Sequence, residues 1–160
     1  MSGPAPAWPV TLYYDGACRL CVSEMTTLQR CDRHQRLRFV DCAVPGFADA
    51  DCDAAGIGLD ALMARLHARD AHGRWSVGVP ALAIAYGAVE VQELAAFFAE
   101  PGRARWLGRA YGWIADHRQV LSRFGLNLGF GLWVRWRARR AAGHAHACVD
   151  GQCRIDAAHD

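Results

Sequence analysis

The hydrophobic pattern begins with Val10-Thr11-Leu12-Tyr13-Tyr14, a run of apolar, β-branched and aromatic positions that predicts a strand. From Leu20 the period changes. Cys21, Met25 and Leu28 recur at i, i+4 and i+7, so they share one face of a helix that runs to about Arg30–Arg33. Leu37-Arg38-Phe39-Val40-Asp41 predicts a second strand. Strand, helix and strand with short joins predict a parallel pair formed through a right-handed crossover. Residues 43–58 are rich in Ala, Gly and Asp and predict a loop with one helical turn at most. Beyond them the period becomes two. Leu62, Ala64, Leu66 and Ala68 alternate with Met63, Arg65, His67 and Arg69, Asp70-Ala71-His72-Gly73 forms a turn, and Trp75 and Val77 alternate with Arg74 and Ser76. This predicts a β-hairpin. Pro80 fits the first turn of a helix, where its missing N–H costs nothing. Residues 91–100 predict a helix with Leu94, Ala95 and Phe98 on one side, closed by Pro101-Gly102. The stretch from Arg103 to about Arg140 reads as helical, divided near Gly125 and Gly129.

A parallel pair followed by an antiparallel hairpin is the skeleton of a thioredoxin-like α/β fold: strand–helix–strand, β-hairpin, helix. The expected organisation is a short disordered lead over residues 1–8 and a thioredoxin-like domain over 9–100. A basic helical extension packed on it covers 101–141, and a mobile tail containing Cys and His covers 142–160. The chain has 160 residues, 52% hydrophobic and 21% charged, enough for one domain with a real core. All 18 basic residues are Arg, which reads as a GC-rich coding bias. The start, Met1 to Ala7, has neither the basic end nor the apolar core of a secretory signal, and no apolar run approaches the ~20 residues of a spanning helix. Seven cysteines lack the even framework of a small secreted protein, so a reducing cytoplasm is the expected compartment.

Chemistry concentrates at the first strand-to-helix junction, in Asp15-Gly16-Ala17-Cys18-Arg19-Leu20-Cys21. Two thiols three apart can close a small disulfide ring, and a helix N-terminus favours the thiolate of whichever sulfur sits there. Cys18, expected to be the more exposed sulfur, is the candidate nucleophile, and Cys21, one turn into the helix, the candidate resolver. Asp15 is the candidate for organising the turn amides at Gly16 and Ala17 or for carrying a proton. Gly16 suits a sharp turn or a positive φ, and Arg19 is placed to tune the thiolate electrostatically.

That heptapeptide resembles the signature of the DCC family of thiol-disulfide oxidoreductases. A second block, Tyr111-Gly112-Trp113-Ile114-Ala115-Asp116-His117-Arg118, is similar to the Tyr-x-x-(Ile/Val)-Ala-x-x-Arg block near that family's C-terminus. The two together imply a match over roughly residues 10–124, a thioredoxin-like fold and thiol–disulfide exchange. Gly78-Val79-Pro80-Ala81-Leu82 also superficially resembles the cis-proline segment of thioredoxins, but that segment precedes the hairpin and Pro80 follows it. The helical reading of Pro80 is preferred for that reason.

No organic cofactor is implied; the partners are a protein or small-molecule disulfide or thiol and an external redox partner. Two other functions stay open. Cys18 and Cys21 can supply half of a zinc site, with Cys148 and Cys153 or His144 and His146 of the tail as further ligands. The extension can instead serve a non-catalytic adaptor: nine Arg lie between Arg103 and Arg140 against the single acid Asp116, interspersed with Trp106, Trp113, Trp133 and Trp136. That composition suits weak contact with an anionic membrane surface, but its first expectation is a basic solvated face whose tryptophans pack on the core. No nucleic-acid-binding motif is present. Cys31, Cys42 and Cys52 read as small buried hydrophobes.

Overall fold

The structure is a computed structural model and describes residues 5–100, 102, 104–123, 136, 148–149 and 152–153. Strand β1 (Val10–Tyr14) leads into helix α1 (Arg19–Cys31) and strand β2 (Leu37–Asp41). Two short helices follow, α2 (Ala50–Ala54) and α3 (Leu59–Ala64), then strands β3 (His67–Arg69) and β4 (Trp75–Val77). Helices α4 (Val79–Ala88), α5 (Gln92–Ala99) and α6 (Ala104–Arg123) complete the body. The sheet runs β2-β1-β3-β4, with β1 and β2 parallel and β3 antiparallel to both its neighbours. This is the thioredoxin-like arrangement that the pattern predicts.

β1 is the inner strand of the parallel pair, and its side chains alternate between two apolar layers. Val10 and Leu12 pack with Met25 and Leu28 of α1, with Ala81 and Ala85 of α4 and with Leu94 of α5. Tyr13 points the other way, into a smaller cluster with Cys42, Cys52 and Leu62. Asp32 ends α1 and aims the chain into β2, its carboxylate accepting from the Arg36 and Leu37 amides at 3.0 and 2.8 Å. α4 is apolar on nearly every side because it is buried on nearly every side. Pro80 sits in its first turn, as expected.

The hairpin is shorter than predicted. Its first arm covers only His67–Arg69, because Leu59–Ala64 is helical and Leu62 enters the core from that helix. Leu62 and Leu66 are four apart, so they satisfy a helical period as well as a period of two.

α6 lies against α1, α4 and α5. Leu107 is buried at that contact, and the Tyr111 hydroxyl accepts from the Leu66 amide at 3.1 Å. Gly78, at the start of α4, has φ +68°, and a Cβ there would also stand 3.2 Å from the Tyr111 ring. The expectation that the tryptophans of the extension pack on the core is corrected for three of them: Trp106, Trp113 and Trp136 are 66%, 56% and 46% exposed. Trp133, the lead at residues 1–4 and most of the tail lie outside the described residues. Within the tail, β5 (Cys148–Val149) and β6 (Gln152–Cys153) pair antiparallel with Cys148 across from Cys153. Among the described residues no helix is long and apolar enough to cross a membrane.

Candidate active site

The turn between β1 and α1 is held from both sides. The Asp15 carboxylate is buried and accepts from the Ala17 amide at 2.9 Å, and the Asp15 carbonyl accepts from the Cys18 amide at 3.2 Å. The Gly16 amide donates instead to Asp41 Oδ1 at 3.0 Å, and the same oxygen accepts from the Ala43 amide at 2.8 Å. Asp15 therefore organises one of the two amides expected of it and Asp41 the other. Asp41 is absent from the candidates drawn from sequence, yet its position follows from the predicted parallel pair. In the observed register Tyr14 stands beside Asp41, so the end of β2 adjoins the turn after β1.

Gly16 is needed for a reason other than the expected positive φ. A Cβ at this position would fall inside the Asp41 carboxylate. The residue is a glycine because another side chain occupies its space.

Cys18 is the N-cap of α1. Its backbone is extended, its carbonyl accepts the first helical bond from Val22 at 2.9 Å, and its Sγ accepts from the Cys21 amide at 3.4 Å. A sulfur in this place meets the partial positive charge of the helix N-terminus, which stabilises a thiolate. The expected exposure is corrected, however: Cys18 is only 2% exposed, whereas Cys21 is half-buried. The cap geometry holds Cys18 Sγ over the first turn of the helix, on the Cys21 amide. Arg19, the first residue of α1, is exposed.

Cys21 borders a cavity of about 610 Å³ that sequence reasoning does not anticipate. Tyr14 and Asp15 reach it from the β1 end, and Leu20, Glu24 and Met25 from α1. Phe97 and Phe98 of α5 and Trp106 and Trp113 of α6 form the facing wall. Glu24 is the one acid of α1 in this wall. Its Oε1 accepts from the Tyr86 hydroxyl of α4, and burial raises its pKa above the ordinary carboxylate range, with the Tyr86 bond opposing. Burial, reinforced by the neighbouring Glu24, holds the Tyr86 phenol well above its ordinary value.

The remaining described cysteines differ in kind. Cys42 and Cys52 sit in the smaller core cluster, where burial first and nearby negative groups second push their thiols up to about 12 and about 11. Such thiols are inert near neutral pH. Cys31 is partly buried at the end of α1. Among the described residues no group of three or more His, Cys, Asp or Glu is placed to hold a metal ion. His144 and His146 lie outside the described residues.

A family model described as DCC1-like thiol-disulfide oxidoreductase matches residues 12–124. Comparison with curated proteins and with solved structures returns no match. The matched span runs from β1 through the dithiol turn, the sheet and the full length of α6. With its two cysteines at the start of α1 and its thioredoxin-like sheet, the chain belongs to the DCC1-like thiol-disulfide oxidoreductase family.

Proposed function

We propose that the chain exchanges dithiol for disulfide at Cys18 and Cys21, with Cys18 as the nucleophile and Cys21 as the resolver. The observation that carries this is the N-cap geometry, in which the Cys21 amide and the helix N-terminus converge on Cys18 Sγ. The Cys18 thiolate attacks a substrate disulfide; one substrate sulfur leaves as a thiolate and the other stays bonded to Cys18. Cys21 then attacks Cys18 Sγ, the Cys18–Cys21 bond forms, and the second substrate sulfur leaves. The substrate gains two electrons and the protein loses two, which an external dithiol returns. With a dithiol substrate the same steps run in reverse. The cavity beside Cys21 is the approach by which a substrate sulfur reaches the pair. In this scheme Asp15 and Gly16 shape the turn, and Arg19 adds positive charge at its rim.

Trapping tests the roles. Cys21→Ser should accumulate a mixed disulfide on Cys18 when challenged with a small aromatic disulfide, and Cys18→Ser should accumulate none. Trapping only in Cys18→Ser would reverse the two roles.

The exposed Trp106 and Trp113 on a helix carrying the exposed Arg109 favour a second reading, an adaptor that docks on anionic surfaces. It predicts vesicle binding at low salt, together with function that survives loss of both cysteines.

A further inference from the structure

Exchange leaves one proton without an assigned carrier. When Cys21 resolves a mixed disulfide it must lose its thiol proton, and it does so beside a cavity lined mostly by apolar side chains. Asp15 borders the same cavity, but its Oδ1 is engaged by the Ala17 amide. Glu24 is placed differently. It lies three residues after Cys21 on α1, so the two side chains share one face of the helix. Both side chains border the cavity. The Tyr86 hydroxyl, fixed in the core at 1% exposure, holds one carboxyl oxygen from the opposite side.

We infer that Glu24 is the proton carrier for Cys21, with Tyr86 as its positioning residue. The proposal rests on the exchange reading above. In the resolving step the Cys21 S–H bond breaks and its proton passes to the Glu24 carboxylate. The freed electron pair forms the bond to Cys18 Sγ, and the Cys18–substrate bond breaks with its pair leaving on the substrate sulfur. When the Cys18–Cys21 disulfide is reduced, Glu24 returns the proton. A carboxyl raised by burial suits this, because a base working near neutral pH transfers best when its own pKa lies closer to that pH.

The titratable and charged groups that face Glu24 across the cavity are Tyr14 and Asp15 at the β1 end, Cys21 on α1 and Arg65 after α3. Tyr111 on α6 completes the set on the cavity, Tyr86 on α4 bonds Glu24 directly, and α5 presents Phe97 and Phe98.

The test is single-turnover ring closure in the full chain. Reduced protein is mixed with an equimolar aromatic disulfide, quenched in acid at intervals, and the Cys18–Cys21 disulfide followed by peptide mass spectrometry across a range of pH. Glu24→Gln keeps the shape and can still accept from Tyr86. It should slow closure at neutral pH by about tenfold or more and erase the lower inflection of the pH profile. Tyr86→Phe removes a hydrogen bond that favours the charged carboxylate and should move that inflection to higher pH, leaving the alkaline limb in place. A carboxylate with a merely structural role would move neither inflection. Closure in Glu24→Gln at the wild-type rate with an unchanged profile overturns the proposal alone. Failure of the wild type to form the Cys18–Cys21 disulfide at all overturns the exchange reading and the proposal together.

Discussion

At the residue scale the dithiol turn depends on an atom that is missing. The Asp41 carboxylate occupies the space beside Gly16 that a Cβ would fill, and it accepts from the Gly16 and Ala43 amides. Gly16→Ala should therefore displace Asp41, break both bonds and cost about 1–3 kcal/mol, read as a lower urea midpoint with slower exchange. A variant with unchanged midpoint and rate would show that the turn yields easily. Asp15→Asn should behave in the opposite way. Asn keeps an oxygen for the Ala17 amide and makes the same kind of side-chain turn, so exchange should stay within about threefold of wild type. A much larger loss would return proton carriage to Asp15. The types and spacing of Cys18, Cys21, Asp15 and Gly16 are legible in the chain, because a motif is local. The burial of Cys18 is not, since it depends on which way a cap side chain turns. Glu24 is hidden for a similar reason: its significance comes from Tyr86, distant in sequence by 62 positions.

At the scale of elements, Asp70 builds the β3–β4 turn. Its carboxylate accepts from the His72 and Arg74 amides, each at 3.0 Å, and pairs with the Arg74 guanidinium at 2.6 Å. Burial pushes its pKa up, but the Arg74 side chain and the backbone amides outweigh that and hold it at about 2, below the ordinary 3.8. The folded value is the lower one, so this stability is present above about pH 4 and is lost as pH falls toward 2. Asp70→Asn should cost about 1–2 kcal/mol near neutral pH, allowing for solvent screening at the half-exposed Arg74, and should flatten the acid limb of the stability profile. An acid limb that is unchanged in the variant would remove Asp70 from the account. Element order and the parallel pair are legible because strand and helix periods differ plainly over Val10–Asp41. The start of the hairpin is not, because Leu62 and Leu66 fit both periods and only tertiary packing chooses the helix.

At the scale of the whole molecule, α6 lines the cavity and fastens through Tyr111 to Leu66, just ahead of β3. Tyr111→Phe leaves the buried Leu66 amide without this acceptor and should lower stability by about 1–3 kcal/mol in urea titration. Trp113→Ala, on the same helix but 56% exposed, should cost less. Equal effects would contradict the docking described for α6. The Tyr111 block is visible in the sequence, but its job is not, because the contact joins residues 45 positions apart. The central claim is that Cys18 and Cys21 form one redox couple, with Cys21 bordering this cavity. It is tested most directly by a redox titration with differential alkylation and mass spectrometry covering all seven cysteines. Cys18 and Cys21 should change state together, as a two-electron couple at a single potential, with Cys42 and Cys52 staying reduced throughout. Independent titration of the two, or pairing of either with another cysteine in preference to its neighbour, would contradict the account.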